Sequence, residues 1–391
     1  MSSSYLWLWL MVQASAAPLP VASTVCWQGG EPAHAWVDTV ETLGGNESRR
    51  VALPPLPDQA IVVQVIEQGI DVSFELLDAQ DRRLARAESP VIRTGVAVSL
   101  VEPRAPHPRS LLITGKEHAE LRGALRIRVF ATDARCARQI RAMSLADARY
   151  AAAHAAAAAP ERQARESAPM AFAEAARLYE AIAKLPDLAE MDLAIVQLTL
   201  ASLYYYDLSQ WTTSAEWAAK AAATAEASGE AYLRARARAI LGAAWIETRT
   251  GSVARIASRF DEIRKMLGEV RDFHAARHED YDSALQTNNI GLTYYYESRF
   301  EEAVPHLAAA QASFKRQSET PREALALQNI ALCEWGLGAL PTALEHFGHA
   351  LDLMDSKAHP DLFLIVINNL ALANYSAGKY DQALAIYQRA L

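Results

Sequence analysis

Asn289-Ile290-Gly291-Leu292, Asn329-Ile330-Ala331-Leu332 and Asn369-Leu370-Ala371-Leu372 begin 40 residues apart. A fixed interval of this size marks a stack of like helical hairpins, each with an apolar face that only its neighbour can bury. The interval holds for other positions as well. Gly291, Ala331 and Ala371 are the small residues of the first helix in each hairpin. Ala303, Ala343 and Ala383 follow 12 residues later in the second. Leu307, Phe347 and Tyr387 are the bulky partners, and Ala310, Ala350 and Ala390 close the pattern. Small residues let two helices approach closely, and large ones fill the remaining gaps. Two earlier units are weaker. Ser202 to Gly242 is again 40, but Gly242 to Gly291 is 49, and the nine extra residues are expected near Arg271–Tyr281. Tyr204-Tyr205-Tyr206-Asp207 followed by Trp211 echoes Tyr294-Tyr295-Tyr296-Glu297 followed by Phe300.

The last unit reads Asn369-Leu370-Ala371, then Gly378-Lys379-Tyr380-Asp381-Gln382-Ala383-Leu384, then Tyr387 and Ala390. This resembles the tetratricopeptide repeat (TPR). The period of 40 exceeds the usual 34. In that respect it is similar to kinesin light chain and to the bacterial CHAT proteins, whose caspase-like Cys–His domain follows a TPR array. The chain reaches Leu391 without such a domain, inside the second helix of its final unit, so the array is expected to be truncated there. An uncovered final face would expose apolar surface and promote self-association.

The resemblance implies a concave groove formed mainly by the first helices. The groove-facing positions it implies are Asn288, Asn289, Gln328, Asn329, Asn368 and Asn369, then Leu292, Leu332 and Leu372, then Tyr295, Trp335 and Tyr375. An amide both donates to and accepts from a peptide backbone, and aromatics supply area at small entropic cost. A peptide or protein partner is therefore expected. The alternative role for the Asn residues is to bond between adjacent repeats and hold the superhelix together.

Residues 21–132 have a different texture. Ile61–Ile66, Val72–Leu77, Val96–Val101, Ser110–Thr114 and Leu125–Phe130 are short runs with period-two character, separated by turn signals such as Glu67-Gln68-Gly69. They predict a small antiparallel β-sandwich. Their order resembles the jelly-roll domains of the pre-peptidase C-terminal type. The chain is thus expected to be multi-domain, a small all-β sandwich followed by an all-α TPR superhelix. Its predicted divisions are a signal peptide at 1–16, the sandwich at 21–132, an Ala-rich helical segment at 133–190 and the repeat array at 191–391.

The signal peptide rests on Tyr5–Val12, an apolar run too short to span a bilayer as a helix, and on small residues at Ala14-Ser15-Ala16. Its first residues, Met1-Ser2-Ser3-Ser4, carry no Lys or Arg. Export is expected, to the periplasm or beyond, with a cytoplasmic adaptor as the alternative. Cys26 and Cys136 bracket the β domain and pair there if the compartment is oxidising; free thiols are the alternative.

The net charge of −8, with no basic block, argues against a nucleic-acid partner. Arg234, Arg236 and Arg238 are spaced two apart and scatter around a helix. A nucleophilic Cys needs a base and an electropositive setting. Cys333 has Glu334 beside it on an apolar face instead. No P-loop or His-Glu-x-x-His pattern occurs. No catalytic residue, cofactor or metal is expected. His274 and His278 share a helix face at i and i+4, but two ligands alone do not make a metal site.

Overall fold

The computed structural model describes residues 35–68, 72–88, 96–102, 106–115, 122–132, 134–159, 162–186, 188–248, 253–355 and 359–390. The apolar run at 5–12, the cleavage residues 14–16 and Cys26 lie outside them. Eight strands precede twelve helices among the described residues. The chain divides into two units, one containing Ser15–Ile240 and the other Leu241–Leu391.

The strands are β1 (Ala35–Gly44), β2 (Ser48–Ala52), β3 (Ile61–Gln68), β4 (Val72–Leu77), β5 (Arg83–Glu88), β6 (Val96–Val101), β7 (Ser110–Gly115) and β8 (Arg122–Ala131). They form two antiparallel sheets, ordered β1-β8-β3-β6 and β2-β7-β4-β5. Every connection but the β4–β5 hairpin changes sheet, which is the jelly-roll topology. Ile61, Val63 and Val65 of β3 and Leu125, Ile127 and Val129 of β8 face Phe74, Leu76, Leu111 and Ile113 of the other sheet in one core. The opposite side of β3 and β8 is covered too, because Val62, Gln64, Arg128 and Phe130 are also buried. That is why Ile61-Val62-Val63 reads as a continuous apolar run instead of an alternating one.

The sequence reading finds β3, β4, β6, β7 and β8 and misses β1, β2 and β5. Those three carry Thr, Glu, Asp or Arg at nine of their 21 positions and lie at sheet edges, where one row of backbone groups and much side-chain surface stays wet.

Helix α1 (Ala134–Ala157) packs against β6, and Arg141 holds Glu102 with two hydrogen bonds at 2.5 and 2.7 Å. Cys136, in its first turn, is buried and disulfide-bonded. Helix α2 (Arg162–Ile182) pairs with α1, and α3 (Glu190–Tyr206) with α4 (Trp211–Ala227). The unit boundary falls inside α5 (Ala231–Glu247).

The second unit continues with α6 (Val253–Ala275), α7 (Asp280–Tyr296), α8 (Phe300–Arg316), α9 (Thr320–Gly336), α10 (Leu340–Asp352), α11 (Pro360–Ser376) and α12 (Tyr380–Ala390). Helices α8 and α10 are amphipathic with one buried stripe, Ala303-Leu307-Ala310-Phe314 and Ala343-Phe347-Ala350. Helix α9 is different. Every residue from Arg322 to Cys333 is buried, because α7, α8, α10 and α11 all pack against it. A Cβ on Gly291 would stand 2.8 Å from the Leu307 side chain, so the Ala331 and Ala371 column narrows to glycine there.

The hairpins turn by one recurring device. Ser209, Gly229, His278, Ser298, Ser318, Gly338 and Gly378 all have positive φ. In six of these turns the backbone N–H after that residue reaches the carbonyl five positions back: Glu230→Ala225, Glu279→His274, Arg299→Tyr294, Glu319→Phe314, Ala339→Glu334 and Lys379→Asn374. This is the Schellman closure of a helix C-terminus.

The turns also correct the placement of the extra residues. Ile263, Leu267, Val270 and His274 of α6 occupy the same offsets from their turn as Ala303, Leu307, Ala310 and Phe314 of α8. The 40-residue register is therefore already in force at Ile263. The nine additional residues lie before it, not near Arg271–Tyr281.

Candidate partner-binding face

Helices α7, α9 and α11 are the first helices of successive hairpins and contact one another in that order. Their equivalent positions therefore form columns. In the amide column, Asn289, Gln328, Asn329 and Asn369 are buried, Asn288 is half-buried and Asn368 is exposed. Asn329 Nδ2 donates to Asn288 Oδ1 across 3.2 Å, which ties α9 to α7. Tyr387 donates its hydroxyl to Asn368 Oδ1 at 3.4 Å within the last hairpin.

Four amide atoms have no protein partner. They are Gln286 Oε1, Asn289 Nδ2, Gln328 Oε1 and Asn329 Oδ1, all on α7 and α9. Leaving a buried polar atom unmatched costs about 1–3 kcal/mol, so four in one column is a local expense that apolar residues would avoid. Gln286 escaped the sequence reading. It lies three residues before Asn289, one turn away on the same helix.

The apolar members of the expected groove are spread more widely. Leu292 and Leu332 sit in the interior and Leu372 is half-buried. Tyr295 is half-buried, edge-on to Tyr296 and tilted against Phe300. Trp335 is half-buried and T-shaped to Phe347. Tyr375 is 59% exposed beside Tyr380, which makes it the most open aromatic of the set.

Two polar groupings lie away from this face. In the first unit Tyr150 donates to Asp207 Oδ2 at 2.8 Å, and His154 Nε2 stands 3.6 Å from Asp207 Oδ1. Asp207 caps the C-terminus of α3, where the helix dipole already disfavours negative charge. Burial pushes its carboxyl up to about 7, although the Tyr150 hydrogen bond pulls the other way. Burial also holds His154 below the ordinary imidazole range. In the second unit His274 Nδ1 lies 2.6 Å from Glu279 Oε2, and Asp282 completes a cluster. His278 is exposed at positive φ and takes no part in that cluster.

Cys333 is a buried free thiol, pushed up to about 12 by burial and then by Glu334. Its environment opposes a thiolate. No helix among the described residues is long and apolar enough to cross a membrane.

Comparison with known proteins agrees with the repeat pattern. The tetratricopeptide repeat model matches residues 281–356. Among solved structures, a Rap protein complexed with competence and sporulation factor is 13% identical, with a TM-score of 0.49. That match covers 67% of this chain and 66% of the other, just under two thirds of its length. Aspartyl phosphate phosphatase F from Bacillus subtilis is 14% identical over 65% of this chain and 71% of its own, at 0.44. BtubC (BKLC) from P. vanneervenii is 16% identical over 57% and 87%, at 0.40. No curated protein matches the chain. The match at 281–356 agrees with the helical hairpins described above, so this stretch is similar to tetratricopeptide repeats, and a jelly-roll domain precedes the helices.

Proposed function

We propose that the chain is a non-catalytic scaffold that binds a peptide or protein partner along the row formed by α7, α9 and α11. The observation that carries this is the row of equivalent amides and aromatics on α7, α9 and α11, with Asn288 half-buried and Asn368 and Tyr375 exposed. An extended backbone presents a donor and an acceptor at each residue, which an amide side chain can match. Asn288 and Asn368 are the accessible members and make first contact. Asn289, Asn329 and Asn369 set the register behind them, and Tyr295, Trp335 and Tyr375 supply apolar area.

The test is selection of displayed random peptides on the immobilised full chain. Affinity is then measured for the selected peptides. Asn368→Ala should weaken binding about tenfold, the worth of a hydrogen bond or two. Its melting temperature should stay within about a degree of wild type, as for other exposed substitutions. Parallel loss of melting temperature and affinity would instead assign the amides to holding the repeats together.

The scaffold is proposed to be exported. The apolar run before Ala17 and the disulfide-bonded Cys136 both suit an oxidising compartment. N-terminal sequencing of the mature protein checks this, and retention of residues before Ala17 would rule it out. A second reading makes the chain the recognition part of a CHAT-type cysteine peptidase. It is favoured by a β domain preceding repeats with a 40-residue period. An open reading frame past Leu391 encoding a Cys–His domain would support it, and a stop codon there would remove it.

A further inference from the structure

We propose that His274, Glu279 and Asp282 form a binding site for a divalent transition-metal cation, best matched by zinc(II), that ties the last turn of α6 to the first turn of α7. The repeat register draws attention to His274. Its equivalents in the repeat register are Ala225 of α4, Phe314 of α8 and Met354 just past the end of α10, all apolar and buried. His274 is just as buried, so an imidazole stands where the fold elsewhere places core.

Backbone geometry fixes two of the three ligands. His274 and Glu279 are the ends of a Schellman turn, and Glu279 N–H donates to His274 O at 3.0 Å. The same two residues meet through their side chains at 2.6 Å. Asp282 follows Glu279 by three positions, which puts it on the same side of α7. The ligand atoms of the three residues all lie within 4.8 Å of one another. A tetrahedral zinc with bonds of about 2.0–2.2 Å needs neighbouring ligand atoms about 3.4 Å apart. Side-chain rotations that open the 2.6 Å pair by about 0.8 Å and draw in wider gaps by up to about 1.4 Å therefore fit the set around an ion.

The donor set selects the class of ion. One imidazole nitrogen and two carboxylates match zinc and its neighbours in the transition series, whereas calcium and magnesium take oxygen ligands. Two carboxylates also neutralise the dication. They offset the positive N-terminal end of α7 and Arg277, which holds the other Glu279 oxygen at 3.4 Å. A hydrogen bond between His274 and Glu279 alone has no use for Asp282, and this separates the two possibilities.

The experiment titrates chelator-treated full chain with zinc(II), following heat release and melting temperature. One equivalent should bind and raise the melting temperature, with calcium and magnesium without effect. Asp282→Asn should weaken zinc at least about tenfold while the metal-free melting temperature stays put. His274→Phe restores the side chain found at position 314, so it should fold and lose zinc binding. Undiminished zinc binding in either variant overturns the site, as does the absence of any zinc-induced shift. A response to magnesium or calcium but not zinc overturns the assignment of ion class.

Discussion

Phe314→Ala is expected to destabilise the Leu241–Leu391 unit by ~3–5 kcal/mol, the usual range for deleting a buried aromatic ring. Phe314 is 2% exposed and packs among Ala284, Leu285, Ala310 and Ala326, with Tyr281 edge-on at 6.0 Å. Most of these neighbours are alanines, which have no side-chain length with which to close a cavity. The loss should therefore sit toward the upper end of the range. The neighbours come from α7, α8 and α9, so the cavity opens between successive hairpins. In a unit of this size it should lower the melting temperature by about 10 °C. Phe314→Leu keeps most of the volume and should recover more than half of the loss. If the alanine variant melts within about 2 °C of wild type, the packing of α8 between α7 and α9 described above is wrong.

Asp207→Asn should stabilise the Ser15–Ile240 unit at pH 8 and have little effect near pH 4. The carboxyl titrates at about 7 in the folded chain against an ordinary 3.8. A raised carboxyl pKa means that the folded state prefers the protonated form. Its contribution to stability is complete below pH 3.8 and is lost as pH rises through about 7. A difference of about three units corresponds to at most ~4 kcal/mol above pH 7. The groups facing Asp207 are Tyr150, which donates to it, and His154 at 3.6 Å. Asparagine keeps an oxygen for Tyr150 and never ionises. His154, with its pKa lowered by burial, acts in the opposite direction as pH falls below 6.5. That contribution is present in both proteins and largely cancels in their difference. Denaturant titrations of both proteins at pH 4.5 and pH 8 measure the effect. A stability difference that does not change with pH would show that Asp207 titrates normally.

How far the sequence could be read depends on which interactions repeat. The helical hairpins were legible because Gly291, Ala331 and Ala371 recur with Ala303, Ala343 and Ala383, and a recurring close contact leaves a recurring small residue. The core strands β3, β4, β6, β7 and β8 were legible because burial forces Val, Ile, Leu and Phe onto them. The edge strands β1, β2 and β5 were not, since their Thr, Glu and Arg residues meet water. The amide positions were readable from the repeat, but not their division into buried Asn289, Asn329 and Asn369 and open Asn368. That division depends on which helix faces a neighbour. Asp207 with Tyr150 and His154, and Glu279 with His274, were out of reach for a different reason. Each is a single meeting of side chains set by the tertiary path, with no periodic trace in the chain.

The left-handed turn residues at Ser298, Ser318, Gly338 and Gly378 fall at intervals of 20, or twice that, and each joint closes with the same backbone hydrogen bond. The joints are therefore interchangeable. Excising 300–339 would bring Arg299 directly before Leu340 and leave a turn of the same kind behind it. Duplicating the segment would do the same in reverse. Array length in such a protein is a quantity that recombination can change in whole steps without redesigning any interface. Lineages can thus lengthen or shorten the face offered to a partner while the chemistry of each hairpin stays as it was.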